Sequence, residues 1–85
     1  MTPTRLLKLP QVCDLTGLRI TAIYGQAKSG LFTPPVKLTA RSSAWPEHEV
    51  AAINRARTAG KSDGEIRALV AQLVAQRQQP QPAAA

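Results

Sequence analysis

The sequence predicts a mainly helical fold: a helix-turn-helix, then a small β-hairpin, then a C-terminal helix. Three observations predict it. Apolar residues recur at helical spacing on both sides of Gly17, Pro34-Pro35 breaks that period ahead of an alternating stretch, and a capping sequence at 62–65 opens an amphipathic run. With 85 residues, 14 of them alanine, and one each of Trp, Tyr and Phe, the chain supports one thin core. Such a core leaves no room for a deep catalytic pocket.

Pro10 suits the opening of a first helix, where its missing N–H would be unpaired anyway. Val12, Cys13 and Leu15 give this helix its apolar face, and Gly17 suits a left-handed end after Thr16. Helical spacing resumes with Ile20, Ile23 and Ala27 facing inward through Lys28, and Gly30 stops it. Two short helices joined by a tight glycine turn match a helix-turn-helix, whose second helix can enter a DNA major groove. On spacing alone an ordinary αα-corner fits equally well.

From Leu31 to Trp45 the pattern reads as a hairpin: Val36-Lys37-Leu38, a polar turn over Thr39-Ala40-Arg41-Ser42-Ser43, and a return at Ala44-Trp45. Two strands alone are not stable, so Phe32, Val36, Leu38 and Trp45 are expected to pack on the helices. Pro46 opens a third helix with Glu47 and Glu49 in its first turn and Val50 and Ile53 inward, ending near Gly60. Ser62-Asp63-Gly64-Glu65 is a capping box. The helix it opens carries Ile66, Leu69, Val70, Leu73 and Val74 on one stripe, which either packs on its own domain or pairs with a second copy. Residues 1–60 thus read as one unit, 61–77 as a C-terminal helix for packing or dimerisation, and 78–85 as a disordered tail.

The charge distribution narrows the function. The net charge is +6, with 11 cations against 5 acids, which favours an anionic partner. Residues 1–46 hold six cations and the single acid Asp14, so +5 of that charge lies in the N-terminal half. The apolar runs are too short for a membrane span or a secretory signal, and a cytoplasmic location is expected. One Cys, Cys13, and one His, His48, exclude a disulfide within the chain and make no zinc set, and Cys13 is expected in the core. No pair of titratable groups is positioned for acid–base work and no phosphate-binding glycine motif occurs, so neither an enzyme nor a cofactor is expected.

For DNA binding the outward side of the second helix offers Arg19, Thr21, Ala22, Gly25 and Lys28. Thr21 suits a base edge or phosphate, and Ala22 a thymine methyl. Tyr24 either packs its ring on the domain edge or sends its hydroxyl to a phosphate; Lys28 either complements the helix dipole or meets a phosphate. Lys37 and Arg41, with Ser42 and Ser43 at the hairpin tip, form either a wing on DNA or an ordinary solvated hairpin.

The ordered series Arg5-Leu6-Leu7-Lys8-Leu9, Val12, Thr16-Gly17-Leu18, Ile23-Tyr24, Gly30-Leu31-Phe32, Pro35-Val36-Lys37-Leu38, Ala44-Trp45 and Glu49-Val50 resembles the AlpA family of prophage regulatory proteins. Ala59-Gly60-Lys61-Ser62-Asp63 with Glu65-Ile66 is similar to an extension found in some members. Phe32-Thr33-Pro34-Pro35-Val36-Lys37 also resembles the base of the wing in phage excisionases, which implies a MerR-like winged helix-turn-helix. The resemblance implies a DNA-binding transcriptional regulator of a prophage or integrated element. Alternatives are an excisionase-like factor that bends DNA for an integrase and a protein-interaction module with weak DNA binding. On double-stranded DNA a homodimer or cooperative oligomer is expected, since one small recognition surface binds loosely. The resemblance places DNA contacts at Thr21, Tyr24, Gly25 and Lys28 and on the wing at Lys37 and Arg41. Three positions depart from the family pattern. Arg19 stands where Ser usually caps the recognition helix, leaving Thr21 as a substitute cap. Gly25 stands where Arg or Lys usually follows the Tyr, and Ile53 where Trp is usual.

Overall fold

A computed structural model describes residues 4–78. In chain order the elements are β1 (Leu6–Lys8), α1 (Leu9–Thr16), α2 (Ile20–Ser29), β2 (Val36–Thr39), β3 (Ser42–Pro46), α3 (Glu47–Thr58) and α4 (Asp63–Gln76). The fold is mostly helical, with four helices and one small antiparallel sheet. The tail expected at 78–85 lies outside the described residues, save for Gln78.

Glycine ends both helices of the first pair. Gly17 (φ 74°) and Gly30 (φ 83°) take the left-handed conformation that a Cβ disfavours. The Gly17 N–H donates to the Cys13 carbonyl at 2.9 Å, while the Thr16 hydroxyl donates to the Val12 carbonyl and accepts from the Leu18 N–H. Asn54 of α3 adds a side-chain donor to the Leu15 carbonyl at 3.0 Å. The end of α1 is therefore satisfied both locally and from across the fold.

The expected two-stranded hairpin is a three-stranded sheet in the order β1-β3-β2. Leu7 pairs with Trp45 and Lys8 with Ala44, while Val36 pairs with Ala44 and Lys37 with Ser43. β1 supplies the third strand that a hairpin needs for stability. Its backbone also assists α3, because the Arg5 carbonyl accepts from the Glu47 N–H at 2.7 Å where Pro46, at the N-cap, has no side-chain acceptor. The turn is tighter than the sequence suggests: Ser42 and Ser43 belong to β3, leaving Ala40 and Arg41 between the strands.

One core joins every layer. Leu7, Val12, Ile23, Phe32, Trp45, Val50 and Ile53 are buried together with Ile66, Val70 and Leu73 of α4, and Leu69 and Val74 pack partly buried against them. Packing within the chain thus occupies the α4 stripe. Cys13 and Leu18 also pack, half-buried, against this core. The Trp45 indole N–H donates to the Thr33 carbonyl at 2.9 Å, satisfying both groups in the interior. Three inward expectations fail. Leu15 (51% exposed) and Ile20 (54%) point to solvent, and Leu38 stands out on the hairpin. Ile20 opens α2 beyond the reach of the core, where Leu18 from the turn packs instead.

α4 is fastened by charge as well as by apolar area. Its Ser62–Glu65 capping box forms, with the Glu65 N–H donating to Ser62 Oγ at 3.2 Å and the Ser62 N–H to Glu65 Oε1 at 3.1 Å. At the far end Arg77 grips the fully buried carboxylate of Glu49 in α3 through two bonds, of 2.6 and 2.8 Å, and donates a third to the Pro34 carbonyl at 2.8 Å. Arg77 ties α3, α4 and the Pro34 loop into one block.

Candidate nucleic-acid interface

The α2 helix is held rigidly at its C-terminal end and left open at its N-terminal end. Arg57 of α3 donates to the Gln26 side chain and to the Leu31 carbonyl, and Arg67 of α4 donates to the Ser29 carbonyl at 3.1 Å. Two cations thus meet the carbonyl-rich end of the helix, where its dipole is negative. Ile23 keys the inner face into the core, and Tyr24 sets its ring edge-on to Trp45 at 5.9 Å. At the start, Arg19 occupies the N-cap with no side-chain bond, and Thr21 does not take over the cap. The amides of the first turn therefore face outward without a side-chain acceptor, an arrangement that suits an anion.

The outward surface of α2 presents Arg19, Ile20, Thr21, Tyr24, Gly25 and Lys28, all exposed, with Tyr24 at 43%. Ala22 is half-buried rather than outward. Tyr24 packs its ring on Trp45 and stays 43% exposed. Gly25 has open space where a Cβ would stand, so nothing in the fold requires glycine there.

Strand register places the hairpin residues. Leu7 pairs with Trp45, and Ser43, two residues before Trp45, pairs with Lys37, so these four share the sheet face on which Tyr24 rests. Lys37 and Ser43 extend that face beyond α2, and Arg41 stands at the exposed tip. Ser42 lies on the other face, where its hydroxyl accepts from Lys8 Nζ at 2.7 Å. Lys37 and Ser43 therefore share one sheet face with Trp45, against which Tyr24 packs, and Ser42 lies on the other.

Much of the formal charge is engaged inside the protein. Arg5 pairs with Glu47, Lys61 with Glu65 and Arg77 with Glu49, while Lys8, Arg57 and Arg67 bond neutral protein oxygens. Among the described residues five cations have side chains with no such bond. Four of them, Arg19, Lys28, Lys37 and Arg41, are on α2 and the hairpin, and the fifth is Arg55 on α3. The acids leave this surface clear: Asp14 is on α1, Glu47 and Glu49 are on α3, and Asp63 and Glu65 open α4. No group of three metal-ligating side chains occurs among the described residues, and no described helix is long and apolar enough to cross a membrane.

Residues 5–54, from just before β1 to within α3, match the family model described as prophage CP4-57 regulatory protein (AlpA). The chain belongs to this family. It is also 38% identical over 64 residues to an uncharacterized protein, ORF88, of Enterobacteria phage P4, covering 75% of this chain and 73% of that protein. No solved structure matches it. The AlpA-matched segment contains the whole outward surface of α2 and the hairpin. The arginines that hold α2 from behind, Arg57 and Arg67, and the α4 stripe lie beyond it. Sequence reasoning missed Ile20 as a surface residue because its spacing from Ile23 is that of a core position. It missed the spent cations other than Lys61, whose partner Glu65 is four residues on, because the partners of Arg5, Lys8, Arg57, Arg67 and Arg77 are far away in sequence.

Proposed function

We propose that this AlpA-family chain is a sequence-specific DNA-binding regulator of a prophage or integrated element. In this reading it is a MerR-like winged helix-turn-helix, with α2 in a major groove and the β2–β3 tip over the neighbouring minor groove. One observation carries the reading: the cations without internal partners are concentrated on α2 and the hairpin, while those behind are bound into the fold. Arg19 and Thr21 at the start of α2 serve base edges and phosphates, and Tyr24 and Lys28 serve the backbone further along. Lys37 and Arg41 serve the wing. Ser43 lies beside Lys37 on the same side.

The salt dependence of binding tests this. Four phosphate contacts give log K against log salt a slope of about −3.6, at roughly −0.9 per contact, whereas eleven engaged cations would give about −10. Lys28→Ala or Arg41→Ala should each flatten the slope by about 0.9, and Arg55→Ala, a free cation on α3, should not change it. Selection from a random duplex pool at about 150 mM salt should return a motif. A slope unaffected by Lys28 and Arg41, with no motif recovered, refutes the reading.

A further inference from the structure

We infer that Ile20 is a base-reading residue, and that its contact is the C5-methyl group of a thymine in the major groove. The inference rests on the DNA-binding reading above and deepens it. Ile20 is the most exposed of the large apolar side chains in the described fold, at 54%, and it is the first residue of α2. In a helix-turn-helix the first turn of the second helix is the part that meets base edges. An isoleucine there, between Arg19 and Thr21, is held out in water by a helix whose other end is fixed at Ser29 and Leu31.

Behind Ile20 lies an open, largely apolar groove of about 570 Å³ between the starts of α1 and α2, lined by Pro10, Cys13, Leu18, Arg19, Ile20 and Thr21. The apolar surface is thus a small concave patch rimmed by a cation and a hydroxyl. DNA offers one apolar group on its major-groove edges, the thymine methyl, surrounded by hydrogen-bonding atoms and flanked by phosphates. The patch has the same composition in reverse. Gly25, five residues on in α2, carries no side chain and has open space where a Cβ would stand, which leaves the helix backbone uncovered there. Ala22, the residue whose type first suggests a methyl contact, is half-buried, whereas Ile20 is exposed.

Replacing each thymine of a selected site by deoxyuridine removes only the methyl group and keeps the base pair. For the full chain, one or two such replacements should weaken binding about fourfold, the factor expected for burial of one methyl-sized group. The same replacements should change binding of Ile20→Ala by less than about twofold, since the partner group is already gone. Ile20 is exposed, so Ile20→Ala should fold, and its unchanged thermal unfolding is the control. A motif insensitive to every deoxyuridine, or an Ile20→Ala chain as sensitive as the parent, overturns the inference and leaves DNA binding standing. Loss of affinity for all sequences alike in Ile20→Ala also overturns it and leaves Ile20 a contact that does not read sequence. Recovery of no motif at all overturns the DNA-binding reading itself, and this inference with it.

Discussion

Arg77→Ala removes all three bonds that Arg77 makes and leaves Glu49 stranded. The Glu49 side chain is 0% exposed and its partner 22%, so the carboxylate has no ready access to water. Both of its oxygens accept from the guanidinium, at 2.6 and 2.8 Å. Breaking a buried pair on one side costs about 3–5 kcal/mol, most of it from the charge left unpaired. A chain of this size is stable by about 4–13 kcal/mol in total, so this one substitution should remove a large part of its stability. The buried Trp45 reports unfolding in urea directly, as the chain's single tryptophan. Glu49→Gln removes the charge but keeps the shape, so Arg77→Ala made in that background should cost only about 1–2 kcal/mol. If Arg77→Ala alone costs less than 1 kcal/mol, or as much in the Glu49→Gln background as in the parent, the buried-charge argument is wrong.

Three further outcomes are expected. Thr33 is fully buried and its hydroxyl finds no hydrogen-bond partner among the described residues, so Thr33→Val should leave stability unchanged or raise it by about 1 kcal/mol in the same urea assay. Gly25→Ala should stabilise α2 by about 1 kcal/mol, raising Tm by about 4–8 °C in calorimetry, since a Cβ there meets nothing. The Ser62 backbone N–H, then the Ser62 side chain and the charge of Lys61, hold the Glu65 carboxyl below the usual glutamate range. A lowered value in the folded state means that the contribution is present above the ordinary glutamate range and is lost as pH falls through the lowered value. Helicity followed by circular dichroism between about pH 6 and pH 2 should therefore fall less steeply with acid in Ser62→Ala than in the parent. Equal acid sensitivity would remove the Ser62 side chain as a cause and leave the Ser62 backbone N–H, which the alanine keeps.

Local signals were the legible ones. Gly17, Gly30, Pro46 and the Ser62–Glu65 box mark helix ends because each acts on residues one turn away, and the structure places helix ends at all four. β1 was not legible, since Leu6-Leu7-Lys8 is too short to show alternation and its partner strand is nearly forty residues away. Glu49 reads as an ordinary first-turn acid of α3. Nothing in its neighbours reveals that Arg77, on the next helix, will bury it. The exposure of Arg19, Thr21, Lys28 and Lys37 was legible by residue type. Exposure was not legible where a face had to be known: Ile20 stands exposed, Ala22 is half-buried, and Ser42 and Ser43 separate across the sheet.

The connection from α3 to α4, Ala59-Gly60-Lys61-Ser62, is exposed throughout and turns at a left-handed Gly60. Everything that α4 supplies passes through these four residues: Ile66, Val70 and Leu73 to the core, Arg67 to the end of α2, and Arg77 to Glu49. A single proteolytic nick here would turn those contacts from intramolecular into bimolecular ones and let α4 leave. The nick lies beyond the AlpA-matched segment, yet it would remove the support behind α2 within that segment. One cut in this exposed connection would therefore unfasten the fold at a point outside the AlpA-matched segment.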